Sequence, residues 1–320
     1  MLRILVVAVL ALAAPLAAAQ EYPSREIRSI VNFAPGSGAD ILVRWYSDQL
    51  SRLAGKPVVV ENKPGAQGTL ATDFVAKSKP DGYTIMITPA SSTLAAVRYI
   101  FKKLPFDPQK DFASVTTLSS LAFVLAVDAS RPINSVADLI KHLKSRPNDG
   151  FYGTGSNTGQ IAAEVFKTGA KLKTTYVPYK TNAQALSSLL LGEVDFISYD
   201  ATWAVTQQES RGGKLRILAV SSAKRAGALP GAPTLGELGL SDSDVTPWWG
   251  VVVPAGTPRP IVEKLAAWFN RIVASEEHKT FLQRASLDPL PGSPEQMDAL
   301  LKTERARWAG YVKLANIEPQ

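Results

Sequence analysis

Cysteine is absent from this chain of 320 residues, and histidine occurs only twice. The first absence excludes disulfides, thiolate catalysis, cysteine metal sites and the lipid-bearing cysteine of a bacterial lipoprotein. The second leaves His142 and His278 for any imidazole chemistry, and both fall in polar helical segments where an exposed surface role is expected. A P-loop is missing, because Gly55-Lys56 runs into Pro57, and so is a G-x-S-x-G nucleophile elbow. Gly153 and Gly155 followed by Gly159 approach a dinucleotide fingerprint, but the third glycine comes one place late and no acid closes the next strand. Glu276-Glu277 beside a lysine reads as a solvated helix face. No catalytic set assembles, so an exported hydrolase is disfavoured, and neither a cofactor nor a metal is expected. After residue 19 no stretch is long and apolar enough to cross a bilayer.

At the start of the chain, Arg3 precedes an apolar run over residues 4–14, Pro15 breaks it, and Ala17-Ala18-Ala19 supplies small residues for processing. Residues 1–19 are therefore expected to be a signal peptide cleaved after Ala19, delivering the mature chain to the periplasm. The hydrophobic content of 46% allows a proper core, and the length favours about two domains. A net charge of +7 is compatible with nucleic acid, acidic lipid or anionic solutes. Export argues against nucleic acid, and for most of the lysines simple solubility is the plainer explanation.

Strand-like and helix-like segments alternate along the mature chain, the pattern of an α/β protein with largely parallel sheets. Strands are expected over residues 27–33, 58–60 and 83–88, separated by helices over 39–53 and 69–76. A second series begins with an apolar run at 123–127. Ser135 then caps a helix, and strands near 151, 174–177, 194–198 and 215–220 alternate with helices over 160–167 and 183–191. A Gly/Pro-rich stretch with a short helical piece at 234–238 leads to a strand over 248–253 and two closing helices, 261–273 and 294–315, each opened by proline.

The informative segments are strand-to-helix junctions rich in glycine and hydroxyls. They are Phe33-Ala34-Pro35-Gly36-Ser37-Gly38-Ala39-Asp40, Glu61-Asn62-Lys63-Pro64-Gly65-Ala66-Gln67-Gly68, Thr88-Pro89-Ala90-Ser91-Ser92, Gly153-Thr154-Gly155-Ser156-Asn157-Thr158-Gly159, and Pro178-Tyr179-Lys180-Thr181-Asn182. Each follows a strand's carboxyl end, where open α/β sheets bind ligands. Glycines there let backbone N–H groups approach an anion at a helix N-terminus. Any one such turn is as readily architectural, but turns of one type in both halves point to a shared site for a carboxylate. Asp200 is either a helix cap or a ligand-facing acceptor, with equal grounds for both. Trp45, Trp203, Trp268 and Trp308 read as core at helical positions, whereas Trp248 and Trp249 alternate faces on a strand, so one of them is expected to flank the cleft.

Together these motifs resemble one family, the substrate receptors of tripartite tricarboxylate transporters, also called Bug-type extracytoplasmic binding proteins. The likeness spans nearly all of the mature chain and includes Tyr22-Pro23-Ser24-Arg25, Pro80-Asp81-Gly82-Tyr83-Thr84, Val177-Pro178-Tyr179-Lys180, Gly192-Glu193-Val194-Asp195 and Val253-Pro254-Ala255-Gly256-Thr257-Pro258. It implies a type II periplasmic binding protein fold of two α/β lobes joined by crossover strands. Lobe one is expected over residues 20–125 and 250–320, and lobe two over 126–249. It further implies that a small mono- or dicarboxylate, aliphatic or aromatic, is gripped by loops matching residues 34–38, 65–68, 88–92 and 154–158, with Asp200 contributing. A monomer that hands its ligand to the membrane subunits of a transporter is expected. An exported sensor subunit feeding a membrane kinase needs the same closing lobes and is the alternative. The chain departs from the family pattern where Gly36-Ser37 replaces two glycines, where Gln160 replaces a frequent histidine, and at Thr181 after Lys180.

Overall fold

The computed structural model describes residues 22–210 and 213–319, and the expected leader lies outside them. The first series runs β1 (Ile27–Val31), α1 (Gly38–Ala54), β2 (Val58–Asn62), α2 (Thr69–Ala76) and β3 (Thr84–Thr88). A π-helical turn, Ser91–Ala96, then leads into the short α3 (Val97–Ile100), and β4 (Phe112–Ser120) follows. The second series comprises β5 (Phe123–Asp128), α4 (Val136–Lys144), β6 (Phe151–Thr154), α5 (Asn157–Gly169), β7 (Thr175–Pro178), α6 (Asn182–Leu191), β8 (Phe196–Asp200), α7 (Ala201–Ser210) and β9 (Leu215–Val220). The chain closes with β10 (Trp248–Pro254), α8 (Arg259–Val273), α9 (Glu276–Ala285), β11 (Asp288–Pro289) and α10 (Pro294–Leu314).

These strands form two sheets, ordered β11-β4-β10-β3-β1-β2 and β7-β6-β8-β5-β9. Each has a parallel half, β2-β1-β3 in one and β7-β6-β8 in the other, extended by antiparallel neighbours. The parallel halves follow from strand-helix alternation, because a parallel connection needs a helical crossover. The chain passes from the first sheet to the second at Leu121 and Ala122 and returns along residues 221–247. The two passages touch, the Leu121 N–H donating to Pro247 O at 2.8 Å.

Side chains of the first sheet divide by parity, as the two-residue repeat of a strand requires. Ile27, Val31, Ile85, Ile87, Val251 and Val253 pack under α1 and α8. Ile30, Met86 and Val252 face the other way, against α2, the π turn and α10. That second core continues without a break into the other lobe through Phe123, Leu125, Tyr152, Phe166 and Phe196.

Several sequence expectations are corrected. β4 lies outside the expected strands, because its hydroxyl-rich sequence hides a central strand; two of its buried hydroxyls are paired, Thr116 donating to Gly292 O at 2.7 Å and Ser114 to Asp298 at 2.6 Å. The chain ends in three helices, not two, since α9 follows α8. Residues 234–238 form a turn, held by Glu237 accepting from Thr234 N and stopped by Gly239 at φ 67°. Trp248 and Trp249 are both buried, at 1% and 8% exposure, because β10 lies inside a sheet covered on both faces. His278 is fully buried, not exposed: its Nδ1 donates to Val273 O at 3.0 Å, its Nε2 meets Tyr46 Oη at 2.8 Å, and burial lowers its pKa. His142, half-buried, joins the buried Asp195 at 2.8 Å.

Candidate functional site

Between the two sheets, where strands of both lobes end, lies a cavity of about 460 Å³. Lobe one contributes Asn32 and Phe33 after β1, Gly65, Gln67, Gly68, Thr69 and Thr72 around the start of α2, and Pro89, Ser92 and Thr93 at the π turn. Lobe two contributes Ser156, Asn157 and Thr158 at the start of α5. Val97, Ile100 and Phe101, on and just after α3, complete the wall with Trp308 on α10. The size suits a small molecule. No titratable side chain is among these lining residues.

Its polar end is built from backbone geometry. Ser156 has extended backbone and its side chain accepts from Gly159 N, so it caps α5. The N–H groups of Asn157 and Thr158 are first-turn donors that an α-helix cannot pair internally, and both residues sit in the cavity wall. Facing them, four consecutive residues adopt positive φ: Gly65 at 124°, Ala66 at 45°, Gln67 at 51° and Gly68 at 92°. Left-handed backbone at Ala66 and Gln67 costs about 1 to 3 kcal/mol each, and such strain gathers at ligand clamps. Gly68 cannot be replaced without disturbance, because a Cβ there would lie 2.5 Å from Asn32 Nδ2. Asn32 is held from behind by a buried chain of hydroxyls, with Thr88 Oγ1 at 3.4 Å from its Oδ1 and 2.9 Å from Thr93 Oγ1. The helix dipole of α5 and these neutral donors make the end favourable to an anion.

The sequence-derived site residues divide. Gly65, Gln67, Ser92, Ser156, Asn157 and Thr158 come together around the cavity. Ala66 lies inside the strained turn, and Thr88 acts from behind through Asn32. Thr154 is buried beneath the loop it begins, with its Oγ1 3.4 Å from Ser156 N. Ala90 and Ser91 are buried, Ser91 Oγ accepting from Trp248 N at 3.2 Å.

The first glycine loop is placed differently from the expected anion cradle. Ala34, Pro35, Gly36 and Gly38 are exposed. Three of the loop's amides are engaged internally: Gly36 N donates to Asp40 Oδ2 at 2.9 Å, Ser37 N to Ala34 O, and Asp40 N to the Ser37 cap. Asp40 is therefore part of the helix start, and Arg44, Asn62 and the Gly36 N–H hold its carboxyl at about 2. Asp200 resolves as a cap: its Oδ1 accepts from Trp203 N at 2.8 Å, and burial raises its pKa. Tyr179 is half-buried against Gly153, and Trp248 packs in the core. Neither residues 34–40 of the first glycine loop nor Tyr179, Asp200 or Trp248 line this cavity.

Sequence reasoning missed Asn32, Thr72, Thr93 and the apolar wall. Asn32, a polar residue ending an apolar strand just before a glycine loop, carried a readable signal. Residues 91–101 form a π turn followed by a short helix, a shape that no periodicity announces, and Trp308 comes from a distant helix.

The same architecture occurs in known proteins. Residues 42–317 match the family described as the tripartite tricarboxylate transporter family receptor. The Rhodopseudomonas palustris protein Rpa4515, solved with adipate, is 33% identical with a TM-score of 0.78, covering 94% of this chain and 100% of that one. The periplasmic binding protein BugD is 28% identical with a TM-score of 0.73, covering 93% and 100%. MatC of the same Rhodopseudomonas species, solved with malate, is 28% identical with a TM-score of 0.72, covering 91% and 100%. The fold is thus the two-lobed fold of the Bug-type periplasmic binding proteins, as the sequence motifs implied.

Proposed function

The chain belongs to the family of tripartite tricarboxylate transporter receptors, and on that premise we propose that it is a monomeric periplasmic receptor that captures a small carboxylate between its lobes and delivers it to a tripartite transporter. The family is one of receptors rather than enzymes. The single observation that carries the carboxylate assignment is the meeting, across one cavity, of the α5 N-terminus with the strained Gly65-to-Gly68 turn. Hydrogen bonds to a charged group contribute about 1.5 to 3 kcal/mol each, so a few suffice for micromolar binding, about 8 kcal/mol. Adipate and malate in the two Rhodopseudomonas relatives support the same class of ligand. The grip proposed comes from residues 65–68, 92 and 156–158, with Asn32 and Thr93 added to the sequence-derived set.

Thermal unfolding against a panel of mono- and dicarboxylates, each paired with its neutral amide, tests the proposal. A ligand at about 100 times its Kd should add about 2.7 kcal/mol of stability, and the matching amide much less. A flat response to every carboxylate contradicts it.

A further inference from the structure

Three hydroxyls that lobe one places in the cavity wall, those of Thr69, Ser92 and Thr93, already have their protons engaged. Thr69 Oγ1 lies 2.8 Å from Ala66 O, and Ser92 Oγ lies 3.0 Å from Pro89 O. A carbonyl oxygen carries no proton, so in both bonds the hydroxyl is the donor. Thr93 is settled by its neighbours. The buried Thr88 directs its one proton to Asn32 Oδ1 at 3.4 Å, so the 2.9 Å bond between the Thr88 and Thr93 hydroxyls is donated by Thr93. All three residues therefore turn only lone pairs to a ligand. Lobe two differs. Ser156 Oγ accepts from Gly159 N at 3.1 Å, and neither its proton nor that of the Thr158 hydroxyl has an acceptor among the described residues. Those two protons and the first-turn amides of α5 are donors for an anion.

Resting on the receptor reading above, we propose that the solute carries a hydrogen-bond donor, a hydroxyl or an amino group, in addition to its carboxylate, and that this donor pairs with the lone pairs of Thr69, Ser92 and Thr93. A carboxylate oxygen turned toward those hydroxyls meets acceptors, and bonding to it would require each hydroxyl to leave its present partner. An unsubstituted acid would bury the same lone pairs without pairing them, which is unfavourable. A ligand hydroxyl or amino group bonds them as they stand, and a site arranged in this way discriminates against the analogue that lacks the group. Ser92, half-buried at the π turn, is the specificity-determining residue of the three.

Calorimetric titration with two matched sets tests the inference: succinate, malate and aspartate, and butyrate, 3-hydroxybutyrate and 3-aminobutyrate. In at least one set the unmodified protein should bind the hydroxy or the amino acid at least about tenfold more tightly than the unsubstituted acid, and the tighter of the two identifies the donor. Ser92→Ala, which removes one acceptor, should weaken the substituted acid more than the unsubstituted one. A preference below about tenfold in both sets overturns the inference and leaves the receptor reading standing. Failure of every carboxylate to bind overturns both. The matched sets on the unmodified protein decide the matter even if Ser92→Ala does not fold.

Discussion

Glu304, on the cavity-side helix α10, is almost wholly buried, and burial pushes its carboxyl up to about 7 against the pull of Arg307 at 3.1 Å. Arg307 also reaches Asp244 at 3.4 Å, on the return passage between the lobes. A carboxyl that holds its proton more tightly in the folded state stabilises the fold fully below its unfolded pKa. That contribution is lost as pH rises through the folded value of about 7. Glu304→Gln should therefore gain stability relative to the unmodified protein between about pH 5 and pH 8, by on the order of 1 to 3 kcal/mol. Urea unfolding at the two pH values checks this, and an unchanged difference contradicts it. Asp40 has the opposite sign: its carboxyl, held at about 2, contributes stability at neutral pH that is lost only in strong acid.

At the scale of elements, α5 carries two burdens, its own N-terminus and the ligand's. Ser156→Ala should cost about 0.5 to 2 kcal/mol of stability through the lost cap and should also weaken carboxylate binding. Ser135→Ala removes an equivalent cap from α4, where the Ser135 side chain accepts from Asp138 N, and should lower stability while leaving binding unchanged. Chemical unfolding and calorimetry on both variants separate the two effects; equal loss of binding in both would contradict the site assignment. Much of this layer is legible in the sequence. The alternation of apolar runs with capped helices locates most elements, and Ser135 is identifiable as a cap from its position alone. β4 is not legible, because the hydroxyls of Thr116 and Ser114 are paired with partners far away in the chain, Gly292 and Asp298. The glycine loops are legible as loops, but which of them reaches the cavity is decided by how the lobes meet, and the bonding of a side chain such as Asp40 becomes visible only in the fold.

For the whole molecule, the two lobes share more than their crossing passages. The core beneath α10 is continuous between them, Tyr311 Oη donates to Asp244 O at 3.1 Å, and Gln160 Nε2 donates to Ala315 O at 2.7 Å. The helix that walls the cavity through Trp308 therefore also ties the lobes together. The α5 N-terminus set across the cavity from the Gly65-to-Gly68 turn is the reason for expecting an anion, and the net charge of +7 adds a favourable long-range field.

The most direct measurement of that claim is a calorimetric titration of the unmodified protein at neutral pH with the best carboxylate of the panel and with its neutral amide. The account predicts saturable binding of the carboxylate, one per chain, and at least about a tenfold loss for the amide. Equal binding of the two, or saturation at a site unaffected by Ser156→Ala, would contradict it.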